Sequence, residues 1–153
     1  MVFKSLPKIR VSLGMKGSDG RSAAFTVYTI GYGGRKFSAF LSLLKEHGIE
    51  IVVDVRRFPR SKDEDYNREV LEENLGAQGI RYVFMGETLG GFRGGYEAYT
   101  KTETYRQGIE QLLDLLREGR VALMCLERNP KWCHRRYICE TLEEMGIQVE
   151  HII

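Results

Sequence analysis

The chain has 153 residues, 42% of them apolar and 29% charged, with a formal net charge of +2 and three cysteines. That length suits one domain able to bury roughly 70% of its unfolded surface without a staple. The charge balance excludes a strongly basic nucleic-acid binder, the odd cysteine count excludes a disulfide framework, and no apolar run is long enough to span a bilayer.

Residues 1–24 carry Lys4, Lys8, Arg10, Lys16 and Arg21 against one acid, Asp19. They read as a basic extension, with no continuous apolar stretch for a signal peptide. A single α/β domain is expected over residues 25–153, in a soluble, cytoplasmic protein. Residues 25–30 are β-branched and aromatic, and predict a first strand that stops at Gly31-Tyr32-Gly33-Gly34. Phe37, Phe40, Leu41 and Leu44 recur at helical spacing, with Ser38 placed as a cap and Gly48 as a stop. Residues 49–55 are a nearly unbroken apolar run, the pattern of a strand covered on both faces.

Residues 66–78 predict a polar helix ending at Gly79, and residues 80–85 a third strand. A long glycine-rich stretch follows over residues 86–95. Ile109, Leu112, Leu113 and Leu116 share one face of a helix over residues 105–117. Residues 121–126 form a fourth strand, residues 133–145 a last helix, and residues 147–153 a fifth strand. Alternating strands and helices call for crossover connections. The expected architecture is a three-layer αβα fold with a mainly parallel sheet of about five strands.

Ligands bind such sheets at the carboxyl ends of the strands. In this chain those ends carry the unusual residues. The first ends at Gly31 and Tyr32, the second at Asp54, Arg56, Arg57 and Arg60. The third leads to Gly90, Gly91, Arg93 and Tyr96. The fourth ends at Cys125 and Glu127, followed by Cys133, His134 and Arg135. The opposite edge carries ordinary turns such as His47-Gly48.

In order along the chain, Tyr28-Thr29-Ile30-Gly31-Tyr32, Asp54-Val55-Arg56-Arg57-Phe58-Pro59-Arg60-Ser61, Leu89-Gly90-Gly91, Leu123-Met124-Cys125-Leu126-Glu127 and Cys133-His134-Arg135 resemble the Domain of Unknown Function 488 family. The resemblance spans roughly residues 26–152. It implies an α/β fold and a candidate site, and no established activity.

Each motif admits a plainer role. The glycines at 31–34 either hold an anion at a helix start or make a tight turn. They are not the dinucleotide fingerprint, because the sixth position is Lys36, and they lack the ending of a P-loop. Arginine offers a planar fork for carboxylate or phosphate, so Arg56, Arg57 and Arg60 are binding candidates; the alternative is a structural pair with Asp54. The glycine-rich stretch is expected to be a loop that closes over a ligand, with Arg93 as clamp.

Cys133 and His134 lie near a helix start, where the dipole favours a thiolate. His134 shares the stripe of Ile138 and Leu142, so it should face the strand ends. A thiol phosphatase loop is excluded, because its arginine position holds Lys131 after Cys125 and Cys139 after Cys133. The spacing Cys-x7-Cys-His is no standard zinc pattern and lacks a second ligand pair, so no metal is assigned. No cofactor motif stands out. A Cys125–Cys133 disulfide and two inert packed thiols also remain open.

The expectation is therefore an enzyme acting on a phosphate-bearing or other anionic substrate. Gly31, Tyr32, Asp54, Arg56, Arg57, Arg60, Gly90, Gly91, Arg93, Tyr96 and Arg135 would bind it. Cys125, Glu127, Cys133 and His134 would do the chemistry, with thiol chemistry as one route. The alternative is a non-catalytic nucleotide- or nucleic-acid-binding module with Tyr32 or Tyr96 stacked on a base. The partner is an anionic small molecule or a nucleic acid, not a membrane, and the oligomeric state is open.

Overall fold

The computed structural model describes residues 25–91, 95–130 and 133–153. The basic stretch 1–24 and Arg93 lie outside the described residues. Five strands, β1 (Thr26–Gly31), β2 (Ile51–Asp54), β3 (Arg81–Phe84), β4 (Val121–Cys125) and β5 (Gln148–Ile152), form one sheet in the order β3-β2-β4-β1-β5. Every neighbouring pair is parallel.

Helices α1 (Phe37–Glu46) and α2 (Arg68–Ala77) cover one face of the sheet. Helices α5 (Glu103–Glu118) and α6 (Arg135–Glu144) cover the other. Side chains alternate across a strand, and the two cores divide accordingly. Ile30, Val52 and Met124 pack with Phe40, Leu44, Leu71 and Leu75. Val27, Ile51, Val53 and Leu123 pack with Ile109, Leu112, Ile138 and Leu142. Residues Ile51–Asp54 are buried throughout because both faces of β2 are covered.

Three local expectations change. Helix α1 begins at Phe37 with Lys36 in the cap position and no side-chain cap bond, so Ser38 lies inside the first turn. The second helix starts at Arg68, since Tyr66 belongs to a preceding 3-10 turn, Glu64–Tyr66. Its Leu71 and Leu75 are buried, so it is amphipathic rather than polar. The glycine-rich stretch is not one loop. It contains the short helix α3 (Gly86–Leu89) and leads into α4 (Tyr96–Tyr99).

The topology also places the crevice. Strand β4 lies between β1 and β2, with Gly31 level with Cys125 and Asp54 level with Met124. The chain leaves β1 and β2 toward the α1/α2 face and leaves β4 toward α6 on the other face. Connections that part in this way open a cleft at the carboxyl ends. Among the described residues, no helix is long and apolar enough to cross a membrane.

Four interior phenols make the fold sensitive to alkali. Burial pushes Tyr66, Tyr82, Tyr96 and Tyr105 above their usual value. A folded-state value above the unfolded one gives stability that is complete below pH of about 10 and lost as pH rises past it. The urea midpoint should fall between pH 9 and 11, and tyrosinate absorbance should rise with unfolding. Full tyrosinate absorbance in the still-folded protein would contradict this.

Candidate functional site

The centre of the second strand end is a buried ion pair. Asp54 is 0% exposed and Arg56 only 5%. The Asp54 carboxylate accepts from the Arg56 backbone N–H at 3.0 Å, from Nε at 2.9 Å and from Nη2 at 2.7 Å. The Tyr82 hydroxyl donates to the same carboxylate at 2.5 Å. Burial pulls the Arg56 guanidinium down, but its bonds to Asp54 outweigh this and leave it above the ordinary arginine range. Its Nη1 points at the Tyr32 hydroxyl, 3.4 Å away.

Asp54 is therefore not available to a ligand; it fixes Arg56. Tyr32 is also buried, with its ring stacked on Tyr66 at 4.4 Å between centroids. A base cannot take that face, although Tyr32 lines the cavity described below. Arg57 and Arg60 are exposed, and Arg57 donates to the Gly91 carbonyl at 3.3 Å.

Glycines hold the walls close together. A Cβ on Gly31 would collide with the backbone of Glu127 and Arg128. A Cβ on Gly90 would lie 2.8 Å from Arg57 Cα and closer still to the Gly86 carbonyl. Gly90 thus permits tight packing of α3 against the second strand end. Tyr96 is buried, its hydroxyl donating to the Leu89 carbonyl at 2.8 Å and its ring 5.1 Å from that of His134. It supports His134 from within and is not a stacking surface.

The fourth strand end and the turn before α6 bring the thiols together. The donor atoms of Cys125, Cys133 and His134 all lie within 4.8 Å of one another. Nε2 of His134 is 2.7 Å from the Val55 carbonyl. A carbonyl only accepts, so Nε2 carries a proton and Nδ1 is the ring nitrogen turned to the sulfurs. Nδ1 lies 3.7 Å from Cys133 Sγ. The Arg135 backbone N–H reaches the same sulfur at 3.5 Å.

The two thiols have opposite tendencies. Hydrogen bonding from Cys125 lowers Cys133 against the effect of burial, and His134 lowers it further. The same bond to Cys133, together with burial, raises Cys125. The pair thus favours one shared proton and one thiolate. All three cysteines are free. Cys139 is buried in the core beneath, where burial pushes its thiol up to about 12.

One cavity of about 800 Å³ joins these parts. Cys125, His134, Tyr32 and Gly91 line it together with the arginines Arg56, Arg57 and Arg60. Two further expected residues, beside Asp54 and Tyr96, stand outside its lining. Glu127 is exposed and its side chain does not line the cavity; its carbonyl accepts from Arg135. Arg135 is 0% exposed, turned into the protein beneath the thiols, and so cannot touch a ligand in the cavity.

Phe58 and Leu126 complete the lining, and the sequence reasoning passed over both. Phe58 is 76% exposed, an exposure that burial statistics make unusual for so large an apolar ring. Its signal was available, as an aromatic residue inside an arginine-rich loop. Tyr82 and the Val55 carbonyl had none, because only the strand register brings them to Asp54 and His134.

No curated protein and no solved structure matches the chain. The sequence does match the profile of the family described as Domain of unknown function DUF488, over residues 36–94 and 88–142. Those two segments cover well over half of the chain and include the arginine run, the thiols and His134, and the protein belongs to the DUF488 family.

Proposed function

We propose that the protein is an enzyme acting on a phosphate-bearing or other anionic small molecule, with its reactive centre at Cys125, Cys133 and His134. The observation that carries this reading is one cavity lined by three arginines together with Cys125 and His134. Arg56 is held rigid by Asp54, and Arg57 and Arg60 stand on the accessible side. Guanidinium forks match the oxygens of phosphate or carboxylate. His134 turns Nδ1 toward the sulfurs, where it can exchange a proton with a thiol or serve as a ligand. The free thiols support a reducing compartment such as the cytoplasm.

A second reading has one observation in its favour. Phe58 stands exposed among the arginines at the cavity, an arrangement also suited to stacking a base in a non-catalytic nucleotide- or nucleic-acid-binding module. Calorimetric titration separates the two. Orthophosphate should bind to the wild-type chain, and Arg57→Ala should weaken it roughly 10- to 100-fold, as expected for loss of a charged hydrogen bond. Cys125→Ser should bind orthophosphate normally. Single-stranded oligonucleotide binding far tighter than phosphate, and lost in Phe58→Ala, would support the binding module instead. Phosphate affinity unchanged in Arg57→Ala and Arg60→Ala would remove the anion site.

A further inference from the structure

We infer that Cys125 Sγ, Cys133 Sγ and His134 Nδ1 form a three-ligand site for a thiophilic divalent cation of the Zn2+ class, with the fourth position open to the arginine-lined cavity. The inference rests on reading that cavity as a reactive site, and it names what the centre holds.

The donor geometry fits. Zinc sits about 2.3 Å from sulfur and about 2.0–2.1 Å from nitrogen, so neighbouring tetrahedral donors lie roughly 3.5–3.8 Å apart. Cys133 Sγ and His134 Nδ1 are 3.7 Å apart, and Cys125 Sγ completes a triangle with no edge above 4.8 Å. A closure of at most about 1 Å along the longest edge brings such a triangle onto one ion. Two sulfurs and an imidazole select a soft or borderline cation over Mg2+ or Ca2+.

The surroundings are also those of a ligand set. A ligating histidine normally donates its other ring N–H to a carbonyl or carboxylate, which fixes tautomer and orientation. His134 does so to the Val55 carbonyl. The Arg135 N–H donates to Cys133 Sγ, as suits a metal-bound thiolate. Charge points the same way. Arg135 is fully buried, and its Nε and Nη1 have no hydrogen-bond partner. A buried guanidinium calls for negative charge nearby. Two thiolates, a neutral imidazole and a dication sum to zero, and one anionic oxygen in the fourth position supplies the missing charge.

The open position follows from the fold. Cys125 and His134 line the cavity, and Arg56 and Arg57 line it too. Three protein ligands with one exchangeable position mark a catalytic rather than a structural site. The ligands were not recognisable as a metal pattern because they come from a strand end and the turn before a helix. In the usual zinc knuckle they come from paired short loops.

The test uses the full chain, reduced and stripped with chelator, and titrated with Co2+ without oxygen. One equivalent should bind, with thiolate-to-cobalt charge-transfer absorption and tetrahedral d–d bands, and one equivalent of Zn2+ should displace it. Cys125→Ser, Cys133→Ser and His134→Ala should each weaken cobalt by more than the roughly 10- to 100-fold that an outer partner costs. Cys139→Ala should leave the spectrum intact. Circular dichroism of each stripped variant separates ligand loss from unfolding.

Absent charge-transfer bands, or bands that survive in Cys125→Ser and Cys133→Ser, would overturn the site. Orthophosphate titrated into the stripped chain keeps this failure apart from that of the proposed function. Arg57-dependent phosphate binding without cobalt binding leaves the substrate reading standing and removes the metal. Cobalt binding without phosphate binding does the reverse. Zinc that tightens phosphate binding supports both.

Discussion

Asp54→Ala should lose about 3–5 kcal/mol of folding stability, the usual consequence of stranding one member of a buried ion pair. The carboxylate accepts three bonds from Arg56 and one from Tyr82 while fully buried. Its removal leaves the guanidinium at 5% exposure without a counter-charge. For a domain with ordinary stability of about 5–15 kcal/mol, that is a large share. Asp54→Asn keeps the shape and some acceptors, and should lose less. The double variant Asp54→Leu/Arg56→Met replaces both charges with apolar groups and should recover most of the loss. It should not recover orthophosphate binding, because Arg56 belongs to the cavity. Urea midpoints and phosphate titrations of the three variants read both effects. A loss under about 1 kcal/mol in Asp54→Ala would mean that the pair behaves as a screened surface bridge.

Asp54 also shows how far the sequence could be read. The alternation of strand residues puts Asp54 and Arg56 on one side, and the apolar run of residues 49–55 announces a strand covered on both faces. Both features are local and periodic, so both were legible, as was the parallel sheet. What Asp54 touches was not. Tyr82 reaches it only because β3 pairs with β2 in the register that sets Asp54 level with Phe84. Arg135 and Tyr96 misled for a related reason. A residue type that suits anions or base stacking says nothing about which way the chain turns it, and both face inward here. The close approach of Arg57 and Gly86 that requires glycine at 90 is likewise invisible in the sequence. The thiols and His134 met because only seven residues separate Cys125 from Cys133, so the chain must return to the same strand end. The orientation of the His134 ring was beyond sequence, since it depends on one backbone carbonyl 79 positions away.

Gly31→Ala should destabilise the protein by at least the roughly 1–3 kcal/mol of an overpacked core, and should disable the site more than that loss implies. The added Cβ would lie 2.5 Å from Arg128 Cα and nearer still to the Glu127 carbonyl. These are backbone atoms, so no change of rotamer relieves the clash; residues 127 and 128 must move by about 1 Å to restore normal contact. That segment is tied to both sides of the centre. Tyr32 N–H donates to the Cys125 carbonyl at 3.0 Å and Gly33 N–H to the Leu126 carbonyl at 2.9 Å. The Glu127 carbonyl accepts from Arg135, whose backbone N–H reaches Cys133 Sγ. A displacement there moves Cys125 relative to Cys133 and His134, so cobalt binding should weaken even in molecules that remain folded. Gly76→Ala is the control. It lies inside α2, nothing stands within 4 Å of its added Cβ, and alanine there should stabilise by about 0.5–1 kcal/mol. Urea midpoints of the two variants should therefore move in opposite directions. A Gly31→Ala protein as stable as wild type would show that the turn after β4 yields freely, and Cys125 would then owe its place beside His134 to the chain's return alone.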